Sequence, residues 1–172
     1  MKTIQIEPTT GADTRSASEI PAKDVLLRES HLHRSHVRRV MAALAAEMIE
    51  RAERHDHTKV GAIDLFHENF AQAMRKEIEF KDHPWWALHL TEKHHINDRM
   101  HDDADLLDLI EMIVDCTCAG MARTGRVFPI EVHGETLQRL LRNTSAKMLA
   151  AIEVRAPSPV TDGGHPTTEG SR

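Results

Sequence analysis

The sequence predicts an all-α protein, a single-domain bundle of about five helices between irregular termini. Three observations carry that expectation. Apolar residues recur at i, i+3, i+4 and i+7 through several long stretches, the period of an amphipathic helix. Phe and Trp together supply six residues and Tyr none, so Leu, Ile, Val, Met and Ala must fill the interior, a composition that favours helices over sheets. The 172 residues suffice for one domain with a core and are too few for two comfortable ones.

Residues 1–23 are rich in Thr, Ser, Gly and Pro and read as a flexible arm. Residues 156–172, APSPVTDGGHPTTEGSR, read as a disordered tail. Neither carries enough apolar surface to offset the entropy of ordering, so both are expected to be dispensable for folding of the domain at 24–155. The first helix is expected over 31–54, with Val37, Val40, Met41, Leu44, Met48, Ile49 and Ala52 as its stripe and Arg38, Arg39, Glu47, Glu50, Arg51 and Arg54 on its wet face. A second, 62–80, carries Ile63, Phe66, Phe70, Met74 and Ile78. Pro84 closes that stretch, and a shorter helix restarts over 85–95. A fourth, 103–122, holds Leu106, Leu107, Leu109, Ile110, Ile113 and Val114. A last one, 135–154, holds Leu137, Leu140, Leu141, Met148, Leu149 and Ile152, with Gly125 and Gly134 punctuating the approach.

The net charge of −5 lacks the basic patch of a nucleic-acid binder, which excludes stable nucleic-acid binding while leaving a nucleotide available as substrate. No run of eighteen apolar residues exists, so no membrane span is expected, and the opening residues lack the apolar core of a secretory signal. Cys116 and Cys118 are too close for a relaxed mutual disulfide and are expected to be buried or half-buried thiols. Together these features point to the cytoplasm.

Thirteen histidines are the outlying number, most of them between 31 and 101. His55-Asp56-His57-Thr58-Lys59 stands between two helices and offers an imidazole and a carboxylate from adjacent residues, a donor pair suited to divalent Mn, Fe, Zn, Mg or Ni. His36 leans toward the core of the preceding helix. His94, His95 and His101 gather around Asn97, and Asp115 lies within the apolar run LLDLIEMIVDC. A carboxylate there is costly unless paired or bound to a cation, although Asp108 and Glu111 share its face and offer a solvated alternative. Adjacent helical His94 and His95 would point about 100° apart, so only one is expected to bind. Lys59 could contact a phosphate or cap the motif, Trp85 and Trp86 divide between core and surface, and Arg99 and Arg123 are candidate phosphate-binding cations.

The order His36, His55-Asp56, a histidine pair, then Asp115 resembles the HD-domain superfamily of metal-dependent phosphohydrolases, and HDHTK looks like its HD-x-x-K form. More narrowly, HVRRV, HDHTK, HHINDRMH and LLDLIEMIVDC are similar to a small uncharacterised helical family common in bacteriophage and bacterial genomes. The resemblance implies first ligands His36, His55, Asp56 and Asp115, with His95 and His101 holding a second ion and His94 or His89 as substitutes. The separation of His36 and His55 by nineteen positions is shorter than in many HD proteins.

The expected function is metal-dependent hydrolysis of a small phosphorylated compound, a nucleotide among the candidates, by a water on one or two ions. Asp56 would bridge the ions or orient the water, Lys59 would meet the phosphate, and His94 or His57 would protonate the leaving oxygen. A homodimer is left open. The alternatives are a non-enzymatic metal-stabilised accessory or binding protein, phage-encoded in one version, and oxygen-dependent chemistry at a di-iron site.

Overall fold

The computed structural model describes residues 2–9, 19–127 and 129–155. Among these, six α-helices and two short strands follow the order β1 (Ile4–Ile6), α1 (Lys23–Arg54), α2 (His57–Gly61), α3 (Ile63–Met74), a 3₁₀ turn (Phe80–Asp82), α4 (Pro84–His89), α5 (Leu106–Thr124), α6 (Gly134–Ala151) and β2 (Ile152–Val154). The all-α expectation holds. No helix is long and apolar enough to cross a membrane.

Helix α1 begins eight residues before the expected start, because Val25, Leu26, Leu27, Arg28 and Glu29 are helix-compatible and Asp24 sits in the first turn, where a carboxylate complements the dipole. It runs 32 residues, about 48 Å. The expected helix over 62–80 is shorter. It ends at Met74, and Lys76 then adopts a left-handed conformation with φ 59°. The helix expected over 85–95 stops at His89. Pro84 starts α4 at its first position, where a missing N–H costs nothing, and residues 90–105 form turns instead.

The arm of residues 1–23 is corrected in part. Ile4–Ile6 form β1, which pairs in parallel with β2 in the register Ile4↔Ile152, Gln5↔Glu153 and Ile6↔Val154. Ile4 is only 6% exposed. Alternating isoleucines in a Thr/Pro-rich segment gave too short a signal against that background. The tail expected at 156–172 lies outside the described residues, as do 10–18.

The main core gathers Ile96, Ala104, Leu109, Met112 and Leu140, joining α5 and α6 to the turns that follow α4. Helix α5 is the best-specified element. Asp105 accepts from the backbone N–H groups of Leu107 and Asp108, Asp108 returns a bond to the Asp105 N–H, and Gly125 closes the other end at φ 67°. Gly120 is required inside it, since a Cβ there would lie 2.6 Å from the carbonyl oxygen of Arg126.

Asp105 and Asp108 also receive Arg51 from the last turn of α1. The guanidinium lies 3.0 Å from Asp105 Oδ2 and pairs closely with Asp108, while Lys147 of α6 adds a 2.6 Å contact to Asp105. These carboxylates are buried, so Asp108 is not on a wet face. The triad locks the end of α1 beside the first turns of α5, running parallel to it. That juxtaposition places the residues after Arg54 against Glu111 and Asp115.

Candidate metal centre

The chain leaves α1 through His55 and turns at Asp56, which is left-handed (φ 55°). An aspartate tolerates that region better than most residues, and Glu92 secures it. The Glu92 carboxylate accepts from the backbone N–H of Asp56 (3.0 Å) and of Thr58 (2.9 Å), and from the Thr58 hydroxyl. Burial pushes the Glu92 carboxyl up, but these Thr58 bonds and the neighbouring histidines hold it below its ordinary value.

Around this turn the histidines are oriented in pairs of contacts. His55 Nδ1 lies 3.0 Å from Glu111 Oε1, and its Nε2 points to Asp115 at 3.4 Å and Asp56 at 3.9 Å. His94 Nδ1 meets the same Glu111 oxygen at 3.3 Å. Its Nε2 is fully buried with no hydrogen-bond partner. His89 Nδ1 meets the Thr58 hydroxyl at 2.9 Å, while its Nε2 faces His95 Nε2 at 2.8 Å and Asp56 Oδ1 at 3.6 Å. Trp85, 1% exposed, stacks on the His89 ring at 4.6 Å and fixes its plane.

Three donor groups result, each with ligand atoms within 4.8 Å of one another: His55, His94 and Asp115; His89, His94 and His95; Asp56, His89 and Glu92. They share His94 and His89, so the site is one continuous array. Burial and then the neighbouring His94 and His89 depress the His95 pKa to about 4, and burial lowers His89 as well, leaving both imidazoles neutral near pH 7. For His94 burial acts the same way, but Glu111, hydrogen-bonded to it, outweighs that and raises its pKa. Asp56 is pushed up by burial and brought below its usual value by Lys59, which pairs with it directly.

His55 and Asp115 share one of these groups, whereas Asp56 and His95 fall in the other two rather than around the same point, and His94 belongs to two of the three. His36 lies apart from all three. Nineteen residues of continuous helix put about 28 Å between His36 and His55. His36 is instead buried against β1, where its Nε2 accepts the backbone N–H of Glu7 at 3.1 Å. His101 also turns away, its Nε2 lying 2.9 Å from the Leu90 carbonyl, and it belongs to no such donor group among the described residues.

The expectation that only one of His94 and His95 could face the site fails for a related reason. They lie in turns rather than a helix, and their rings sit 4.1 Å apart. Cys116 and Cys118 are exposed, not buried. Asn97 is exposed and bridges to a distant segment, its amide donating to the Glu131 carbonyl at 3.2 Å.

Glu92 and Glu111 were missed as orienting residues, and His89 figured only as a substitute. The spacing Glu111–Asp115 (i, i+4) was the available signal for Glu111, since both lie on one face of α5, whereas Glu92 lies in the turns past the end of α4. Beside the array, Met48, Arg51, Ala52 and His55 of α1 and its end face Leu107, Ile110, Val114 and Asp115 of α5 across a groove of about 510 Å³. Against known proteins, the chain matches no family model, no curated protein and no solved structure.

Proposed function

We propose that the array is a divalent-metal centre and that the protein hydrolyses a small phosphorylated compound there, a nucleotide being the foremost candidate. One observation supports this above the others. His55, His89 and His94 each have Nδ1 engaged by a carboxylate or hydroxyl, which leaves Nε2 directed at other donors or at nothing. Holding one imidazole nitrogen to fix the tautomer and free the other is how proteins prepare metal-ligating histidines. The unpartnered Nε2 of His94 and the close approach of two neutral nitrogens, His89 and His95, fit a cation's donor set better than they fit a finished hydrogen-bond network.

In this reading His55, His94, Asp115, His89, His95 and Asp56 hold one or two ions, and Glu111 and Glu92 orient them. Mixed imidazole and carboxylate donors suit Mn²⁺, Fe²⁺ or Zn²⁺. A bound ion would supply Lewis acidity toward a phosphoryl oxygen and a water of lowered pKa. Lys59, held on Asp56, is positioned to meet phosphate oxygens. His94 is a ligand here, so His57, 63% exposed by its side chain, takes the role of proton donor. Side-chain exposures of 24% at Asp56 and 34% at Asp115 keep the centre reachable, which favours catalysis over a closed structural ion.

Metal analysis of the purified protein, followed by phosphate release from a nucleotide panel with added Mn²⁺, tests the reading. Asp115→Asn should lower turnover by about two or more orders of magnitude with little change in melting temperature. Bound metal without turnover in the wild type, and a melting temperature that collapses in the variant, would leave a metal-stabilised accessory protein instead.

A further inference from the structure

The described residues leave 21 large apolar side chains exposed, against nine hydrophobic residues in the buried core. On two helices the exposed ones form lines. Val37, Met41 and Met48 lie within about 40° of one another on α1, and Ile110, Val114 and Met121 do so on α5. Met48, Ile110 and Val114 all line the groove beside the metal centre. The line along which α5 docks onto α1 therefore continues past the start of α5, exposed at Met41 (62%) and Val37 (48%).

We propose that this face pairs with a second copy of the chain, the two α1 helices running antiparallel and crossing near Leu44 and Ala45. Area supports that occupant. Helices of 32 and 19 residues, about 10 Å wide, offer at most a footprint on the order of 750 Å², within reach of the roughly 800 Å² per partner of a stable pair. Charge supports it as well. The first half of α1 flanks the apolar line with exposed Arg34 and Arg38, whereas the groove carries Glu111 and Asp115, its Arg51 being paired with Asp105 and Asp108 and its Arg123 lying about two turns beyond Asp115. A crossing near Ala45 sets residues 34 and 38 of one copy level with residues 52–57 of the other. The basic segment of each then lies over the acidic mouth of its partner's centre, an arrangement that is self-complementary under a two-fold axis. Ala45, exposed beside this line, lets the helices approach closely at the crossing. This pairing does not depend on the phosphohydrolase reading.

Sedimentation equilibrium on the full chain should give a mass twice the 19.4 kDa of the monomer. Met41→Glu and Val114→Glu should each return it to the single-chain mass with helical circular dichroism unchanged, since both side chains are already exposed. Ile63→Glu, at an exposed position on α3 away from this face, should remain dimeric. Arg38→Glu should weaken the dimer by about tenfold at low salt, as reversal of a rim charge does. A wild type that stays monomeric up to its solubility limit overturns the proposal. So does a dimer that survives Met41→Glu, or one that Ile63→Glu disrupts equally.

Discussion

Glu111 holds two imidazoles with one oxygen, and that economy concentrates the orientation of the centre in a single side chain. Burial raises its pKa, yet hydrogen bonds from His94 and His55 bring it below the ordinary glutamate value, so it is ionised at neutral pH. Glu111→Gln keeps the shape but removes the charge that fixes both Nδ1–H tautomers. Metal affinity should fall about 10–100-fold, measured by competition with a chromophoric chelator, while the melting temperature without metal changes little. An unchanged affinity would mean that the two histidines are not ligands. His55, Asp56, His95 and Asp115 were legible in the sequence as His and Asp in a suggestive order, but the same reading took in His36 and His101, because residue type does not tell which way a side chain turns. The orienting glutamates were not legible, because a glutamate on a helix is ordinarily a solvated residue and only the turn of the chain at Asp56 brings Glu92 to it.

At the scale of elements, the union of α1 with α5 rests on Arg51, Asp105 and Asp108. Arg51→Met removes one member of a buried ionic set and should cost about 3–5 kcal/mol in urea unfolding, chiefly from Asp108 left unpaired. The two aspartates respond oppositely to pH. Burial raises the Asp108 pKa, so its charged form is a burden on the fold. For Asp105, burial is outweighed by Lys147 and Arg51, and its pKa is lowered. A depressed carboxyl contributes stability above its unfolded value of about 3.9 and loses it as pH falls through the folded value. The melting temperatures of wild type and Asp105→Asn should therefore differ most near neutrality and converge below about pH 4. Helices α3, α5 and α6 were legible because period 3.6 is written in every turn, but their stripes do not mark the core, since Ile63, Phe70, Met74, Ile113, Val114, Leu137, Leu141 and Leu149 are exposed. The stop of α4 at His89 was less legible, since 90–95 contain no proline or glycine and only the packing of Ile96 and the site histidines bends them into turns.

At the scale of the whole molecule, the β1–β2 pair joins regions far apart in the chain. Ile4 packs from β1, Arg39 donates to the Gln5 carbonyl at 3.1 Å, and His36 accepts from Glu7. The arm is thereby tied to both α1 and the end of α6. Ile4→Ala should destabilise the protein by about 2 kcal/mol, the lower end for a buried isoleucine, and removal of residues 1–9 by more. A truncated chain that melts at the wild-type temperature would show the strand to be ornamental. No local pattern could announce this contact, because a three-residue strand acquires meaning only from a partner at residues 152–154.

The same strand pair bears on the order in which the molecule assembles. Helices and the α5–α6 hairpin close short loops and can organise within themselves, whereas joining Ile4 to Ile152 closes nearly the whole chain. Closure entropy grows with the logarithm of loop length, so this contact is the most expensive to form early and the least expensive once the helices have packed and shortened the path. The clasp is therefore expected to close last in folding and to open first, and amide exchange at Ile4–Ile6 is the measurement that checks it. Their exchange with solvent would gauge how often α1 is released from the strand pair while the helical body, with its cluster of histidines, stays folded.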